Sequence, residues 1–388
     1  MRVTEIKLKQ RENVVELSGF IDQFHLWFRF PSSHGVDSLR GDAFLAAALL
    51  PAMLRGEPLE IEESAPVSPK LLMEISELQR IFHCWNPVFK IIEVTAKTAP
   101  AAARNEGVAS FFSGGVDSSY TFLKHKEAIT HLVFIRGFDF DAKDEALWDD
   151  TTVAQEAFAR SFGKALIPVA TNVNHLAYPF TDLGWGSYHG SALAAVGLAL
   201  SFPVMYIPAT HTYYELFPWG SHPMTDGLWS TEGTMFIHDG ADASRTEKMS
   251  HIVSDKKILG HLHVCWENKD DNCGRCSKCL RTMIAMRLLR VQGARLPELT
   301  ALRPIRRLTM SGVSELTYFE DNYRLAVSVQ DRAMAAALRT CIRRYHRSQL
   351  FKQIDNQVTR GFLRKAYVSF SKHARGVNPD MHARRIDF

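Results

Sequence analysis

The sequence of 388 residues lacks the long hydrophobic runs and the leader pattern of membrane and secreted proteins. It has no run of about eighteen apolar residues, and the richest apolar stretch, residues 44–54, is too short to cross a bilayer. The first residues lack the basic start and the small-residue cleavage site of a signal peptide. We therefore expect no membrane partner and a cytoplasmic location, where thiols stay reduced.

Two glycine-rich signatures of nucleotide-binding proteins are also missing. The sequence contains no Gly-x-x-x-x-Gly-Lys-Ser/Thr segment, which excludes a Walker-type phosphate loop. It has no Gly-x-Gly-x-x-Gly after the first central strand, which excludes that dinucleotide-binding fingerprint. Internal repeats and low-complexity segments are absent as well.

Cysteine is scarce, but four of the six cysteines fall within fifteen residues. They follow the spacing C-x7-C-x2-C-x2-C and are Cys265, Cys273, Cys276 and Cys279. Two-residue gaps let successive thiolates turn onto one ion, and Gly274 permits the tight turn. Four thiolates with no spare position form the closed tetrahedral site typical of structural Zn²⁺, with a four-cysteine iron–sulfur cluster as the alternative. The basic residues that offset the thiolate charge are Lys269, Arg275, Lys278 and Arg281.

Charge is unevenly distributed along the chain. The formal net charge is +4, but the residues from Arg290 onward include 19 Lys/Arg and 8 Asp/Glu, a balance of +11 that leaves −7 for the rest. This predicts a basic tail on a mildly acidic core. Within the tail, arginines recur at helical spacing at positions 339, 343, 344 and 347. They could contact RNA phosphates, although we favour a solvated basic face. The apolar side of the same helix, with Ala336, Leu338 and Ile342, is expected to pack on the core.

The length predicts more than one domain, and the residue patterns suggest three regions. Residues 1–103 mix strand and helix patterns and are expected to form a small α+β domain. Its expected elements are paired strands over 14–30, a helix over 42–55, a short strand over 59–61, a helix starting at Ser68-Pro69, and a strand over 88–94. Residues 291–388 are expected to form a basic, mostly helical region.

Residues 104–290 alternate between short apolar strands and helices. The strands are predicted at 108–112, 132–135, 165–169, 204–207 and 262–266. This rhythm predicts the α/β class, with a doubly wound parallel sheet that has helices on both faces. Ligands bind such sheets at the carboxyl ends of the strands, where the motifs of this chain fall.

The segment after the first central strand has the composition of an anion-binding loop. Its residues are Ser113, Gly114, Gly115, Val116, Asp117, Ser118 and Ser119. The glycines let backbone N–H groups approach an anion, and the following helix adds the positive end of its dipole. The hydroxyls of Ser113 and Ser118 can donate to phosphate oxygens. The Asp117 carboxylate would be repelled by a phosphate, so we expect it to bind a Mg²⁺ that bridges the phosphates.

This loop resembles that of the PP-loop (N-type) ATP pyrophosphatases, which include asparagine and GMP synthetases, tRNA thiolases and 7-cyano-7-deazaguanine synthases. The cysteine segment is similar to the zinc knuckle of the deazaguanine synthases. The residues Arg245-Thr246-Glu247-Lys248 resemble that family's Thr-Lys-Ala-Glu segment. The resemblance covers roughly residues 105 to 290. The segments that follow the second and fourth strands differ from the family pattern, so a different substrate pocket is expected.

The resemblance implies a PP-loop (HUP-like) fold that binds ATP, Mg²⁺ and Zn²⁺. It implies that Ser113, Asp117 and Lys248 act in catalysis and that Ile135 and Arg136 contact adenine. Arg245 and Lys248 could neutralise pyrophosphate or an acidic substrate, whereas a salt bridge at the start of the helix is the other interpretation. A carboxylate or amide oxygen would attack the α-phosphate, and a nitrogen nucleophile would then expel AMP. One alternative is a thiolase that acts on a nucleobase or tRNA, and another is a non-catalytic nucleotide-binding partner in a multi-enzyme system.

Polar and aromatic residues after the fourth strand are candidates for the substrate pocket. The expected residues are His211, Tyr213, His222 and Asp226, with His189 from the segment that precedes the small-residue helix over 191–200. They suit a planar heterocycle or an acyl acceptor, whereas buried, hydrogen-bonded core histidines are the other interpretation. The favoured partner is therefore a small-molecule or acyl substrate, RNA is less favoured, and a homodimer is left open.

Overall fold

The computed structural model describes residues 1–34, 39–138, 145–265, 267, 271–293, 295–310, 312–359 and 386. Ten strands in these ranges form one sheet: Arg2–Arg11 (β1), Val14–Ile21 (β2), Phe24–Pro31 (β3), Leu59–Ile61 (β4), Val94–Thr95 (β5), Val108–Phe111 (β6), His131–Arg136 (β7), Ala165–Thr171 (β8), Val204–Pro208 (β9) and Met235–Asp239 (β10).

The α-helices of the described residues are Asp42–Arg55 (α1), Pro69–Trp85 (α2), Val116–Lys124 (α3), Glu145–Ser161 (α4), Val173–Ala177 (α5), Trp185–Leu200 (α6), Arg245–Ile252 (α7), Lys256–His261 (α8), Ser277–Leu288 (α9), Arg303–Arg307 (α10), Val313–Ser328 (α11) and Arg332–Thr359 (α12). In this part of the chain no helix combines the length and apolar character needed to cross a membrane.

The sheet is mixed but mostly parallel. Its order is β10-β9-β6-β7-β8-β3-β2-β1-β4-β5. The five strands from β10 to β8 pair in parallel throughout. The chain runs outward from β6 through β7 to β8, then returns to add β9 and β10 on the other side of β6. Right-handed crossovers therefore place α3 and α4 on one face and α6 on the opposite face, which confirms the predicted α/β class.

Each face of the parallel strands is covered by apolar packing. On one face, rings from α3 and α4 and the loop between β6 and α3 pack together, including Phe112, Phe122 and Phe158. On the other face, α1 is apolar on nearly all sides and packs against α6. The Tyr188 hydroxyl on α6 donates to the carbonyl of Ala47 at 2.8 Å, and burial raises the pKa of Tyr188 well above its ordinary value.

The first hundred residues join this sheet through an antiparallel pairing of β3 with β8. Side chains lengthen the short ladder: the Thr171 hydroxyl donates to the carbonyl of Trp27 at 2.8 Å, and the Asn172 amide exchanges two hydrogen bonds with the backbone of residues 25 and 27. These contacts replace the main-chain bonds that longer strands would make.

The chain divides into two compact units. The first comprises residues 1–243, 261–269 and 386–388, and the second comprises residues 244–260 and 270–385. These units do not coincide with the three regions suggested by the sequence, because the pairing of β3 with β8 places the first hundred residues in the central sheet. The division into three domains at 103 and 290 stays a prediction.

Inside the second unit, helices pack through polar as well as apolar contacts. The carboxylate of Asp321 on α11 accepts the N–H of Thr246 at 2.7 Å and its hydroxyl at 3.1 Å. The buried residues of α12 include Met334, Ala335, Ala337, Leu338, Cys341 and Tyr345, so Leu338 lies on the buried side as expected. Ala336, which the sequence assigned to that side, is exposed instead, since it lies between the two buried rows of the helix.

Three predicted features of the sheet differ from the structure. The strand expected over 88–94 is reduced to β5, because the Gln79 side chain binds both the N–H and the carbonyl of Ile92 and replaces a strand partner. The strand expected over 262–266 is wrong. Residues 262–265 form a buried loop, residue 266 lies outside the described residues, and β10 supplies the fifth parallel strand. Finally, β1 was not predicted, since only Val3 and Ile6 of this strand are buried and most of its other residues are exposed.

Glu232 links the loop before β10 to the N-terminus of α2, and it provides a test of the fold. Its carboxylate accepts the Ser68 hydroxyl at 2.7 Å, the Lys70 N–H at 3.0 Å and the Ala101 N–H at 3.1 Å. Burial raises the pKa of Glu232, but these bonds outweigh that effect and lower it to about 2. The stability it contributes is therefore present above about pH 4.5 and is lost as the pH falls toward 2.

We expect Glu232→Gln to lower the free energy of unfolding at pH 7 by about 1–2 kcal/mol, discounted for the solvent exposure of the carboxylate. The deficit should shrink as the pH is lowered from 5 to 3, because the Glu232 carboxylate then becomes protonated in the unfolded chain, whereas in the folded protein it stays ionised down to about pH 2. Denaturant titrations at several pH values measure this deficit, and the control is Glu106→Gln, a change at an exposed residue. A deficit that stays constant over this range contradicts the lowered pKa.

Candidate functional site

A cleft of about 240 Å³ lies at the carboxyl ends of β6, β7 and β9, inside the first unit. It sits beside β6, where the order of the parallel strands reverses, and doubly wound sheets bind ligands at this position. Its lining residues are Phe111, Phe112, Ser113, Asp117, Ser118, Val133, Phe134, Ile135, Phe138, Trp185, His189, Leu193, Pro208 and Thr210.

The walls of the cleft combine a polar region with an aromatic region. Ser113, Asp117 and Ser118 provide hydroxyl and carboxylate groups at the start of α3. Phe138 and Trp185 meet edge to face, with ring centroids 4.9 Å apart. A ligand with a charged group and a flat ring matches both regions, since aromatic walls bind planar rings and helix N-termini bind anions.

The loop between β6 and α3 turns sharply into the helix. Gly114 has a φ of +77°, in the left-handed region that side chains rarely adopt. Gly115 is the N-cap of α3 and offers no side chain to the first turn. The Ser118 hydroxyl donates to the carbonyl of Gly115 at 3.2 Å and also accepts the N–H of Ser113 at 3.3 Å. The loop is thereby closed on itself and leads into the positive end of the helix dipole.

Two successive carbonyl groups of this loop are bound by residues that do not line the cleft. The Gln155 side-chain amide on α4 donates to the carbonyl of Ser113 at 3.4 Å. The N–H of His263 donates to the carbonyl of Gly114 at 2.9 Å. The oxygen of the Gln155 amide is in turn 2.9 Å from Nε2 of His261, whose ring stacks on Phe158. The loop carbonyls are therefore held away from any anion in the cleft.

Within the predicted loop, the residues have different surroundings. Ser113, Asp117 and Ser118 line the cleft, whereas Val116 and Ser119 are buried and can contribute only through the backbone. Of the two residues expected at adenine, Ile135 lines the cleft. Arg136 is not among the lining residues, and its guanidinium lies over the ring of Trp148, 5.7 Å from the centroid.

His189 contributes a wall of the cleft but has both ring nitrogens engaged. Its Nδ1 donates to the carbonyl of Trp185 at 3.0 Å, and its Nε2 accepts the N–H of Ser221 at 3.2 Å. This pattern assigns the neutral tautomer and suits a positioning role rather than proton transfer. The ring of Trp219 packs between His189 and His211, with centroids 5.2 and 5.6 Å away.

The structure brings His222 and Asp226 together, but in a buried network that is not part of the cleft lining. The Asp226 carboxylate accepts the Ser221 hydroxyl at 2.7 Å and the His222 N–H at 3.1 Å, and it lies 2.7 Å from Nδ1 of His238. Burial lowers the pKa of His222, and neighbouring His238 lowers it further. Tyr213 is 57% exposed and also lies outside the lining. The substrate roles of these residues stay predictions.

Arg245 and Lys248 belong to the second unit, where both lie on α7. The Arg245 guanidinium lies over the ring of Tyr318 on α11, 5.4 Å from its centroid. Lys248 is 1% exposed. Their expected roles at phosphate stay predictions.

The four cysteines of the sequence pattern form one group. The Sγ atoms of Cys265, Cys273, Cys276 and Cys279 all lie within 4.8 Å of one another. The Sγ atoms of Cys273 and Cys279 are 3.8 Å apart. A tetrahedron with metal–sulfur bonds of about 2.3 Å has edges of roughly 3.8 Å. The group is therefore compatible with zinc.

Local backbone geometry supports a thiolate site. The N–H groups of Cys276 and Cys279 point at the sulfurs of Cys273 and Cys276, at 3.3 and 3.4 Å. Gly274 has a φ of +69°, and a Cβ there would lie 2.5 Å from Cγ of Pro297, so only glycine fits. Of the basic residues expected to offset the charge, Lys269 lies outside the described residues, and the Arg281 guanidinium lies 3.8 Å from the centroid of Tyr318.

Several residues at the site were not predicted. Gln155, His261 and His263 hold the loop between β6 and α3, and Phe138 and Trp185 form the aromatic wall. A buried glutamine in an otherwise amphipathic helix was the only signal for Gln155, and it carries no information about its partner. The hydrogen bond between His263 and Gly114 joins backbone atoms, so it does not depend on residue type and could not be predicted from the sequence.

A scan of protein-family models and searches of curated proteins and of solved structures found no significant match.

We expect purified protein to hold about one zinc ion per chain, because four clustered cysteines form a closed tetrahedral site. Cys276→Ser should lose the metal and lower the melting temperature by several degrees, since a structural metal contributes to folding. The exposed Cys84→Ser is the matched control and should change neither. Elemental analysis that finds iron instead of zinc contradicts the assignment and favours a cluster.

Proposed function

We propose that this chain is an ATP-dependent, AMP-forming ligase that activates a carboxylate or amide carbonyl for attack by a nitrogen nucleophile. The observation that carries the proposal is the position of the loop that contains Ser113 and Asp117. It begins a helix at one end of an aromatic-walled cleft, beside the strand where the sheet order reverses.

The phosphate end of the cleft has the donors that a polyphosphate requires. The N–H groups of the first turn of a helix have no partners within that helix, and they carry partial positive charge. Gly115 caps α3 without a side chain, so an anion can approach these groups closely. The Ser113 and Ser118 hydroxyls stand at the same end. The aromatic residues Phe134, Phe138 and Trp185 offer a surface for a base or another planar group.

Asp117 supports a nucleotide bound together with a divalent cation. A carboxylate in a phosphate site repels the ligand unless a cation lies between them. Oxygen donors are the ligands that Mg²⁺ prefers, and it commonly binds through one carboxylate and the phosphates of the substrate. Asp117 would hold Mg²⁺, which would neutralise phosphate charge.

In the proposed reaction, a substrate carboxylate or amide oxygen bonds to the α-phosphorus while the bond to the bridging oxygen breaks and pyrophosphate leaves. A nitrogen nucleophile then adds to the activated carbon, loses its proton to solvent, and expels AMP with the transferred oxygen. The contribution of the chain is to orient the substrates and to stabilise the charge of the departing pyrophosphate through the loop amides and hydroxyls.

The thiolase alternative needs a sulfur carrier close to the cleft. None of the described residues that line the cleft is a cysteine. Cys84 is exposed on α2, and Cys341 is buried on α12. These positions favour nitrogen over a sulfur carried by the chain itself. The second alternative, a non-catalytic partner, shares the binding step and differs only in turnover.

The cleavage position is tested by incubating the protein with ATP, Mg²⁺, ammonia and a metabolite extract and separating the nucleotides. AMP and pyrophosphate should accumulate together. We expect Asp117→Asn to lower the rate at least about 100-fold, because it removes several kcal/mol of charge stabilisation, while the melting temperature stays close to that of wild type.

The matched control is Asp150→Asn, an exposed residue of α4, which should keep the wild-type rate. ADP and phosphate as the main products would falsify the proposal. ATP binding without turnover under all conditions would instead support the non-catalytic partner.

The basic tail separates small-molecule from RNA substrates. Two of its arginines already have partners within the second unit: Arg339 donates to the Tyr323 hydroxyl at 2.7 Å, and Arg344 donates to the carbonyls of Arg306 and Leu308. We therefore expect only weak, unselective RNA binding at about 0.15 M salt, where charges are screened beyond about 8 Å. Replacing the arginines at 339, 343 and 347 with glutamine should leave AMP formation on a small substrate intact.

Fluorescence titrations with several RNAs at this salt concentration measure the effect. Tight binding to one tRNA that the triple variant abolishes contradicts the small-molecule substrate and makes the tail an RNA-binding region.

A further inference from the structure

The loop between β6 and α3 is held on its α4 side by the side chains of Gln155 and His261, which belong to no recognisable sequence motif. Gln155 is 2% exposed and contacts the loop through its amide nitrogen, which lies 3.4 Å from the carbonyl oxygen of Ser113. Its amide oxygen lies 2.9 Å from Nε2 of His261. The ring of His261 stacks on Phe158, with centroids 4.2 Å apart and planes 19° from parallel.

We propose that Gln155 and His261 form a positioning pair that sets the direction of the loop amides and thereby the affinity for the pyrophosphate part of ATP. This inference rests on the proposed function and adds to it the residues that hold the loop in its binding conformation.

The peptide group supplies the physical link. Its carbonyl and N–H are planar and point in opposite directions, so a carbonyl held on one side directs the next N–H to the other side. Gln155 holds the carbonyl of Ser113, which directs the N–H of Gly114 away from α4. The N–H of His263 holds the carbonyl of Gly114 in the same way and directs the N–H of Gly115, which lies 3.4 Å from the cleft-lining Ser113 hydroxyl.

Glutamine is required here because its amide both donates and accepts. The donor must face the Ser113 carbonyl, and the acceptor must face a ring nitrogen that carries a proton. His261 fixes this orientation: with Nε2–H directed at the Gln155 oxygen, a flipped amide would place two N–H groups against each other. Stacking on Phe158 restrains the imidazole plane. The pair therefore limits the loop to one peptide orientation.

The close fit around Gly114 supports this role. A Cβ at Gly114 would lie 3.0 Å from Nε2 of Gln155. The glutamine thus fills the space behind a residue whose φ of +77° already favours glycine. A change at Gln155 removes both the hydrogen bond and the packing that keep the loop in this conformation.

The test compares wild type with Gln155→Met, which keeps the length of the side chain but neither hydrogen bond. The matched control is Gln79→Met, since Gln79 is also buried and binds the backbone of Ile92 through both amide atoms. Calorimetry with inorganic pyrophosphate and Mg²⁺ gives the affinity. Hydrogen exchange of the peptide that contains residues 112–119 gives the opening of the loop in protein without ligand.

We expect Gln155→Met to weaken pyrophosphate binding roughly tenfold and to raise the KM for ATP more than it lowers kcat, because a lost peptide orientation costs about one net hydrogen bond. Exchange in the loop should be faster. Gln79→Met should lose similar thermal stability without either effect. His261→Phe keeps a ring on Phe158 and removes the hydrogen bond to Gln155, so it should weaken pyrophosphate binding and speed exchange to a smaller extent. It replaces Gln155→Met as the test variant if Gln155→Met does not fold.

The outcomes separate this inference from the proposed function. Wild-type protein that binds pyrophosphate, together with unchanged affinity and exchange in both Gln155→Met and His261→Phe, overturns the positioning pair alone. Wild-type protein that binds neither pyrophosphate nor ATP overturns the proposed function and this inference together. If Gln79→Met and Gln155→Met change pyrophosphate affinity and loop exchange equally, Gln155 contributes only to general stability, and the positioning pair is overturned as well.

Discussion

The parallel pairing of β6 with β7 on one side and β9 on the other determines the arrangement of the candidate site. Parallel strands require long crossovers, and their right-handedness sends the helices after β6 and after β8 to opposite faces. The crossovers diverge next to β6, so the carboxyl ends of the strands open into a crevice there. The chain must leave β6 into this crevice within a few residues, which is why the turn uses glycine with a positive φ at position 114.

The two ends of the cleft follow from the faces of the sheet. The start of α3 supplies polar groups, whereas the start of α6 supplies Trp185 and His189. Behind these walls, Gln155 and Asp226 are hydrogen-bonded in buried networks, which avoids the free-energy cost of burying a polar group without a partner. Such networks resist rearrangement, and the groups that face the cleft are therefore held in fixed positions.

Local features of this fold could be predicted from sequence, while long-range pairings could not. The helix over 42–55 and the Ser68 cap are confirmed, since periodicity and capping depend on neighbouring residues. The antiparallel pairing of β3 with β8 joins residues about 140 positions apart, and its partners are chosen by tertiary packing. The same limit explains the apolar run at 262–265. Its hydrophobicity predicts burial correctly, but not whether the buried segment pairs as a strand. At the site, the loop and the cysteines carry signatures, whereas Gln155 acts through one hydrogen bond to a carbonyl.

The buried segment 261–265 connects the two motifs that the sequence shows separately. His261 orients Gln155, and the N–H of His263 holds the carbonyl of Gly114. Two residues later, Cys265 is one of the four clustered thiols. Residues 262–265 are buried without being part of a strand, and the N–H of His263 binds the loop carbonyl. The loop between β6 and α3 is therefore held by a segment whose last residue belongs to the four-cysteine group.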